Sequence, residues 1–398
     1  MDHVELNYNG LDFVMDRDKD LYTIGVTDQK GREAGRCIGC IQDFNFNDNT
    51  VKAMVVGRVR TYATYRRLGM ARKTFQMLDD VIRERGVLVS YLHPFSFPYY
   101  RNMGYERVSD HRVLEFDFDA LDFLPRYADL ERILPEDSAE ELDLVYNEFA
   151  KGRNIMPNRI GSGLMDEAFS APRYMFGMPY IYGLKGKACY LCRDDAGCPD
   201  GYIIVRRELC SRDHYQIGST LHVEEMCFTT PEALRKLLGF VRMFEGECDH
   251  IRIANCGMAP EVERVLRKYK YTKITVLPDI SGRVHDVGGL LKASRYPKER
   301  GEFTVRVTDC EKSPFSKDLT EGVWNVAYGN GTGTVTRLED NAPCDLTLAM
   351  PAFTQLVHGF ESYGADVARY MEGVQLHTDC YDFFHAFPNR PAGSFDLF

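Results

Sequence analysis

The sequence predicts an α/β protein with mixed sheets and more than one unit, and three observations predict it. A strand-like run, Val55 to Thr61, passes through an arginine- and glycine-bearing turn into a helical pattern. A second strand-like run, Val87 to Leu92, follows. The same strand–helix–strand order returns at Leu221 to Phe228, at a helix opening on Pro231, and at Ile251 to Cys256. Beyond about residue 300 the text changes to short, partly alternating strand segments. At 398 residues the chain is too long for one ordinary core, so two or three domains are expected.

The first unit opens with strands at Leu21 to Val26 and Arg36 to Phe44. Its turn reads Arg66-Arg67-Leu68-Gly69-Met70-Ala71, immediately before the helical pattern. Gly69 lets a ligand approach the backbone closely. The N–H groups of a helix start, at the positive end of its dipole, suit a phosphate, and Arg66 and Arg67 add charge. Ala71, Phe75, Leu78 and Ile82 fall on one helix face, and Gly86 is placed to cap its end. Strand, loop, helix and strand in this order form a right-handed crossover unit. Val113 to Phe118 is expected to close the first sheet.

The second unit is expected from near Leu134. Thr229-Thr230-Pro231-Glu232 is a helix start with a Thr cap and Pro at the first helical position. Leu234, Leu237, Leu238, Val241 and Phe244 supply an apolar face. The turn lacks both the arginine pair and the glycine, and Pro231 has no N–H to donate. The reading is a duplicated fold whose second copy has lost the phosphate loop. In the third unit, strands are expected at Phe303 to Thr308, Val323 to Tyr328, Thr334 to Leu338 and Leu346 to Ala349. Asn330-Gly331 marks a turn. Helices follow at Pro351 to Phe360 and Tyr381 to Phe387. The apolar end, Phe395-Asp396-Leu397-Phe398, suggests a docked tail, since termini ordinarily fray in polar residues.

Composition narrows the function. A net charge of −10 argues against a nucleic-acid binder, which needs a basic face. No run of 18 or more apolar residues is present, so no membrane span is expected. The first residues lack a signal-peptide pattern, and a cytoplasmic location is the expectation. Twelve cysteines are scattered. The pairs Cys37/Cys40 and Cys189/Cys192 sit in strand-like text, where positions three apart point to opposite faces. They read as free thiols in a reducing compartment rather than a metal site, so no metal is expected.

The R-x-x-G-x-A turn resembles the acetyl-CoA loop of the GCN5-related N-acetyltransferases (GNAT). Tyr99-Tyr100-Arg101-Asn102-Met103-Gly104-Tyr105 resembles the Y-x-x-x-G-[FY] segment that ends the cofactor half. Three units with the loop only in the first resemble the enhanced intracellular survival (Eis) family over essentially the whole chain. Arg283 to Leu291 and Pro351 to Phe360 also fit that family. The resemblance implies an N-terminal GNAT domain over residues 1–130 and a degenerate GNAT-like domain over 131–298. It implies a domain like sterol carrier protein 2 over 299–398, whose tail reaches the active site.

The resemblance further implies transfer of an acetyl group from acetyl-CoA to a primary amine, directly and through a tetrahedral intermediate. The acceptor would be aminoglycoside-like, polyamine-like or a lysine. The implied cofactor contacts are Val59, Arg60 and Thr61 on the strand, Arg67, Leu68, Gly69, Met70, Ala71 and Arg72 in the loop, and Phe95 and Ser96 after the second strand. Tyr100 matches the general acid, and Phe398 the residue whose α-carboxylate serves as base. A carboxylate near pKa ~3.5 faces an amine near ~10.4, a gap of roughly 9 kcal/mol, so Phe398 is expected to relay the proton through water. Ala63 and Leu68 stand where many members have proline and arginine, and Leu397 stands where aminoglycoside-active members often have an acid. His93 is expected as a hydrogen-bonded structural histidine, with a proton relay as the alternative. Assembly as a homo-oligomer, often a hexamer in the family, is expected. The competing class is a lipid or sterol carrier using the third unit.

Overall fold

A computed structural model describes residues 3–134, 140–159, 174–175, 178–179, 186–212, 216–254, 256–267, 272–360 and 364–395. These residues pack as two compact units. One takes 3–109 with Asp279–Arg390, and the other takes Asp110–Pro278 with the tail from Pro391.

The first unit begins as an antiparallel meander of β1 (His3–Tyr8), β2 (Leu11–Asp18), β3 (Leu21–Asp28), β4 (Glu33–Phe46) and β5 (Asn49–Thr61). Helix α1 (Met70–Arg85) crosses over to β6 (Val89–Leu92), which pairs parallel to β5. The expected apolar face of α1 holds, with Phe75, Leu78 and Ile82 at most 2% exposed. Burying each such side chain is worth roughly 1.5–3 kcal/mol, which fixes the helix on the sheet. Gly86 ends it in the left-handed region at φ 63°, the cap expected from sequence. Helix α2 (Phe97–Arg101) and β7 (Glu106–Arg107) follow. Strands β1 and β2 were not expected; β1 alternates Val4, Leu6 and Tyr8 with polar residues, but no residue of it is fully buried.

The second unit is built on β8 (Asp110–Asp117), β9 (Glu131–Ile133), α3 (Glu140–Ala150), β12 (Lys187–Arg193), β13 (Pro199–Arg212), β14 (Gln216–Phe228), β15 (His250–Ile253) and β16 (Lys273–Pro278). Tyr174–Met175 (β10) and Met178–Pro179 (β11) form a separate two-stranded ladder. The seven-stranded sheet runs β16-β8-β15-β14-β13-β12-β9. Strand β14 pairs parallel to β15 after the helix Pro231–Val241, repeating the β5–α1–β6 plan. Strand β8 corrects an expectation. Val113 to Phe118 does not close the first sheet, because Asp110–Asp117 lies between β15 and β16 in the second. Alternation showed that it was a strand but not which sheet would take it.

The place left in the first sheet is filled from far along the chain. Strand β17 (Ser281–Val284) pairs antiparallel with β6 and β7, completing the order β1-β2-β3-β4-β5-β6-β17-β7. The same unit then carries a five-stranded sheet of β18 (Gly301–Thr308), β19 (Gly322–Gly329), β20 (Thr332–Leu338), β21 (Leu346–Ala349) and β22 (Val374–Leu376). Asn330 and Gly331 turn β19 into β20 with φ of 55° and 86°, the two positive values a tight hairpin needs. The apolar side of this sheet is packed by Phe303, Trp324, Phe383 and Phe387, all at most 3% exposed. The tail docks in the second unit. Asn154 N–H donates to the Pro391 carbonyl at 2.8 Å, and Phe395 rests against Phe149 with ring centroids 6.4 Å apart.

Candidate active site

Strand β5 is interrupted where the site begins. Ile38 of β4 faces Gly57, but Arg36 faces Arg60, so Arg58 and Val59 together oppose Cys37. This is a β-bulge, and Arg58 adopts φ 51° to make it. Beyond the bulge β5 has no ladder with β6, since their pairing covers only Ala53–Val55 with Val89–Tyr91. Two parallel strands that part in this way leave a cleft between them, with main-chain groups of β5 along one wall.

The loop after β5 brings charge to that cleft. Arg67 and Gly69 both sit at positive φ, 65° and 76°, and Gly69 is the N-cap of α1. No described side chain caps this end. The N–H groups of Met70, Ala71 and Arg72 precede the first intrahelical bond, Lys73 N–H to the Gly69 carbonyl at 3.0 Å. Arg66 and Arg67 stand beside them. The cleft holds about 870 Å³ and is lined by Val59, Arg60, Thr61, Arg67, Gly69, Met70, Ala71, Arg72 and Phe95 among the expected residues. Tyr65, Arg66, Tyr99 and Met103 complete the lining.

Two expected contacts fall outside this lining. Leu68 is 38% exposed, and its carbonyl accepts from the Asn9 amide at 3.0 Å. Ser96 is the N-cap of α2. The Arg72 guanidinium donates to the carbonyls of Lys312 and Ser313, which hold its side chain there. Of the unexpected lining residues, Tyr65 donates to Asp28 at 2.7 Å. Nothing in the local sequence marks that pairing across 37 positions.

Tyr100, the fourth residue of α2, is not among the residues that line the cleft; it is 2% exposed, with its ring against Phe95 and Tyr99. Its ring meets Phe75 and Tyr105 edge-on. Burial above all, with the nearby Cys37, Tyr99 and Tyr105 adding to it, pushes its hydroxyl pKa far up, so it stays protonated throughout the working range. The Cys37 thiol is itself pushed up to about 12 by burial. Phe95, by contrast, is 71% exposed at the mouth of the cleft. His93 follows β6 and places Nδ1 2.9 Å from the Asp279 carboxylate. Phe398 lies outside the described residues.

The corresponding turn in the second unit is chemically closed. Thr230 Oγ1 accepts from Ala233 N–H at 3.0 Å, and Pro231 occupies the first helical position. A bulge at Glu224 on β14 still marks the shared plan, because Ile204 faces Glu225 while Val205 faces Val223. Among the described residues no cluster of His, Cys, Asp or Glu is arranged to hold a metal.

Residues 13–108 match the model of an acetyltransferase (GNAT) domain, and residues 182–284 match a second acetyltransferase (GNAT) domain. The chain belongs to the GNAT superfamily. It is an acyltransferase with tandem GNAT domains and an Eis-like fold. A GCN5-related N-acetyltransferase from Anabaena variabilis has the same fold, with TM-score 0.76 and 19% identity over 96% of this chain and 90% of that one. A probable N-acyltransferase from Enterococcus faecalis gives TM-score 0.75 and 19% identity, covering 95% and 89%. Eis1 from Mycobacterium abscessus gives 0.71 and 15%, covering 94% and 91%. No curated protein matches the sequence.

Proposed function

We propose that this GNAT protein is an acetyl-CoA-dependent N-acetyltransferase acting on a primary amine, with its reaction centre in the cleft between β5 and β6. The observation that carries this reading is the uncapped start of α1 beside Arg66 and Arg67, at the point where the two strands part. Free N–H groups, helix dipole and guanidinium charge together suit a diphosphate. The main chain at Val59 and Thr61 suits the extended amide-bearing arm of coenzyme A. Bound there, acetyl-CoA supplies an activated thioester, so the residues need only position groups and move protons.

The bulge at Arg58 sets Val59 on the cleft wall, where its main-chain N–H can take up charge on the acyl oxygen. Tyr100 gives its hydroxyl proton to the departing sulfur. With an ordinary thiol near pKa ~8.5 this donation is uphill. The burial that raises Tyr100 raises the thiol as well, and narrows the gap. Phe95 and Tyr99 offer aromatic surface on the acceptor side. The carrier alternative gains no support from the C-terminal sheet, whose apolar side is packed by its own phenylalanines and Trp324.

The test is thiol release from acetyl-CoA against a panel of aminoglycosides, polyamines and lysine peptides. Wild type is expected to turn over at least one class, and Tyr100→Phe to lose about 10²-fold or more in kcat while retaining acetyl-CoA binding. Release at the wild-type rate by Tyr100→Phe would remove Tyr100 from the mechanism.

A further inference from the structure

The segment carrying Tyr100 is short. Helix α2 has five residues, and the chain then reverses, with the Tyr100 carbonyl accepting from Met103 N–H at 2.9 Å and from Tyr105 N–H at 3.2 Å. Gly104 makes this reversal at φ 87°. What holds the reversal comes from elsewhere. Arg283 of β17 is 0% exposed, and its Nη1 donates to the Met103 carbonyl at 2.8 Å. The guanidinium occupies the space a side chain at residue 104 would need, since a Cβ there would lie 1.7 Å from Nη1. Turn and guanidinium therefore fit only each other.

Arg283 is held in turn. Nη1 and Nη2 donate to the two carboxylate oxygens of Asp309 at 3.0 and 2.6 Å, a bidentate pair with both side chains fully buried. Asp309 stands one residue past β18 and also accepts from Thr320 Oγ1 at 2.6 Å and from Cys310 N–H at 2.7 Å. Phe315 lies 4.7 Å under the guanidinium, and its ring packs on Tyr105 and Phe75, which also flank Tyr100. Two residues further along, His285 Nε2 meets Ser90 Oγ at 2.7 Å, and Ser90 meets the Tyr105 hydroxyl at 2.7 Å. The chain from Tyr100 to Tyr105 is thus gripped at Met103 and again at Tyr105.

We infer that Arg283 and Asp309 are positioning residues for acyl transfer, setting the Tyr100 hydroxyl through the Met103–Gly104 turn and making the C-terminal sheet part of the catalytic apparatus. This rests on the acetyltransferase reading above. Neither residue lines the cleft, so both act through the turn. A fully buried ion pair is weak as a source of stability, because an apolar pair of similar volume often serves the fold equally well. A role in stability alone therefore does not require it, whereas the hydrogen bond to Met103 does.

The experiment exploits that difference. The double variant Arg283→Met/Asp309→Leu removes the hydrogen bond and fills the space. It is expected to unfold cooperatively, to bind acetyl-CoA within threefold of wild type, and to lose 30-fold or more in kcat. In a Tyr100→Phe background the same pair should change kcat less than twofold. An equal loss in both backgrounds, or none in either, overturns the inference. Should the double variant fail to fold, Asp309→Asn is read instead: kcat is expected to fall tenfold or more at unchanged acetyl-CoA affinity, and an unchanged kcat, or a loss confined to acetyl-CoA affinity, contradicts the inference.

A second readout needs no turnover. In protein labelled with 3-fluorotyrosine, the Tyr100 resonance is identified by its loss in Tyr100→Phe. Broadening or displacement of that line in the double variant supports positioning, and an unchanged line refutes it. A wild type inactive on every amine would defeat the acetyltransferase reading, while the fluorine line still decides this one.

Discussion

His358 allows a direct test of how the C-terminal segment packs onto β6. The imidazole is 0% exposed, with Nδ1 2.6 Å from the Thr354 carbonyl and Nε2 3.0 Å from the Tyr91 hydroxyl. A carbonyl can only accept, so Nδ1 carries the proton and Nε2 accepts from Tyr91. A second proton would remove that acceptor and place a charge among Phe46, Tyr91 and the core. Burial accordingly brings the pKa down from 6.5 to about 4, against a smaller opposing effect of the Thr354 carbonyl. Between these values the unfolded chain binds a proton that the native chain does not. Stability therefore falls as pH falls through that window, by at most about 1.4 kcal/mol per pH unit.

From pH 7 to pH 5 the loss from this group is about 2 kcal/mol. His358→Gln retains an amide donor and acceptor and cannot titrate. A chain of 398 residues in two units need not unfold in one step, so hydrogen exchange of the helix Met350–Val357 is the better readout. After correction for intrinsic rates, wild type should lose about 2 kcal/mol more protection than His358→Gln between the two pH values. His285, also pushed down by burial and by Arg283, is present in both proteins and cancels. A gap between the two proteins that stays constant from pH 7 to pH 5 would refute the buried neutral histidine.

Three further outcomes follow from the same geometry. Gly69→Ala forces a side chain into φ 76° and sets its Cβ 3.3 Å from the Tyr8 ring. At about 1–2 kcal/mol of strain, acetyl-CoA affinity by calorimetry should weaken by about 5- to 30-fold with unchanged circular dichroism. Gly104→Ala must expel the Arg283 guanidinium from its pair with Asp309, a loss of about 3–5 kcal/mol that should lower the thermal midpoint by many degrees or prevent folding. Arg66→Gln/Arg67→Gln should weaken acetyl-CoA binding by about tenfold at low salt and flatten its dependence on salt, since screened charge is what the pair contributes.

Local chemistry wrote much of this fold into the sequence. The apolar spacing of Phe75, Leu78 and Ile82, the glycines at 69 and 86, and the Thr-Pro start at 230 and 231 each act within a turn or two of themselves. The elements they specify are found at Met70–Arg85 and Pro231–Val241. The cleft was legible for the same reason, because its loop residues are contiguous. The exchange of strands was not. Strand β17 pairs with β6 across some 190 positions, and its four residues have no amphipathic pattern because all are buried. Arg283 illustrates the limit most clearly. An arginine in a strand reads as an exposed residue until Asp309, 26 positions away, and the carbonyl of Met103, 180 positions away, are seen to surround it. Likewise the positive φ of the bulge falls on Arg58 rather than on its neighbour Gly57, and the backbone pays that strain where the cleft opens.

The most direct measurement is a calorimetric titration of the full chain with acetyl-CoA, run beside the Arg66→Gln/Arg67→Gln variant. Saturable binding at one site per chain is expected, weakened about tenfold in the variant. No heat and no thermal shift at millimolar acetyl-CoA, or equal affinity in both proteins, would contradict the assignment of the cleft at the start of α1.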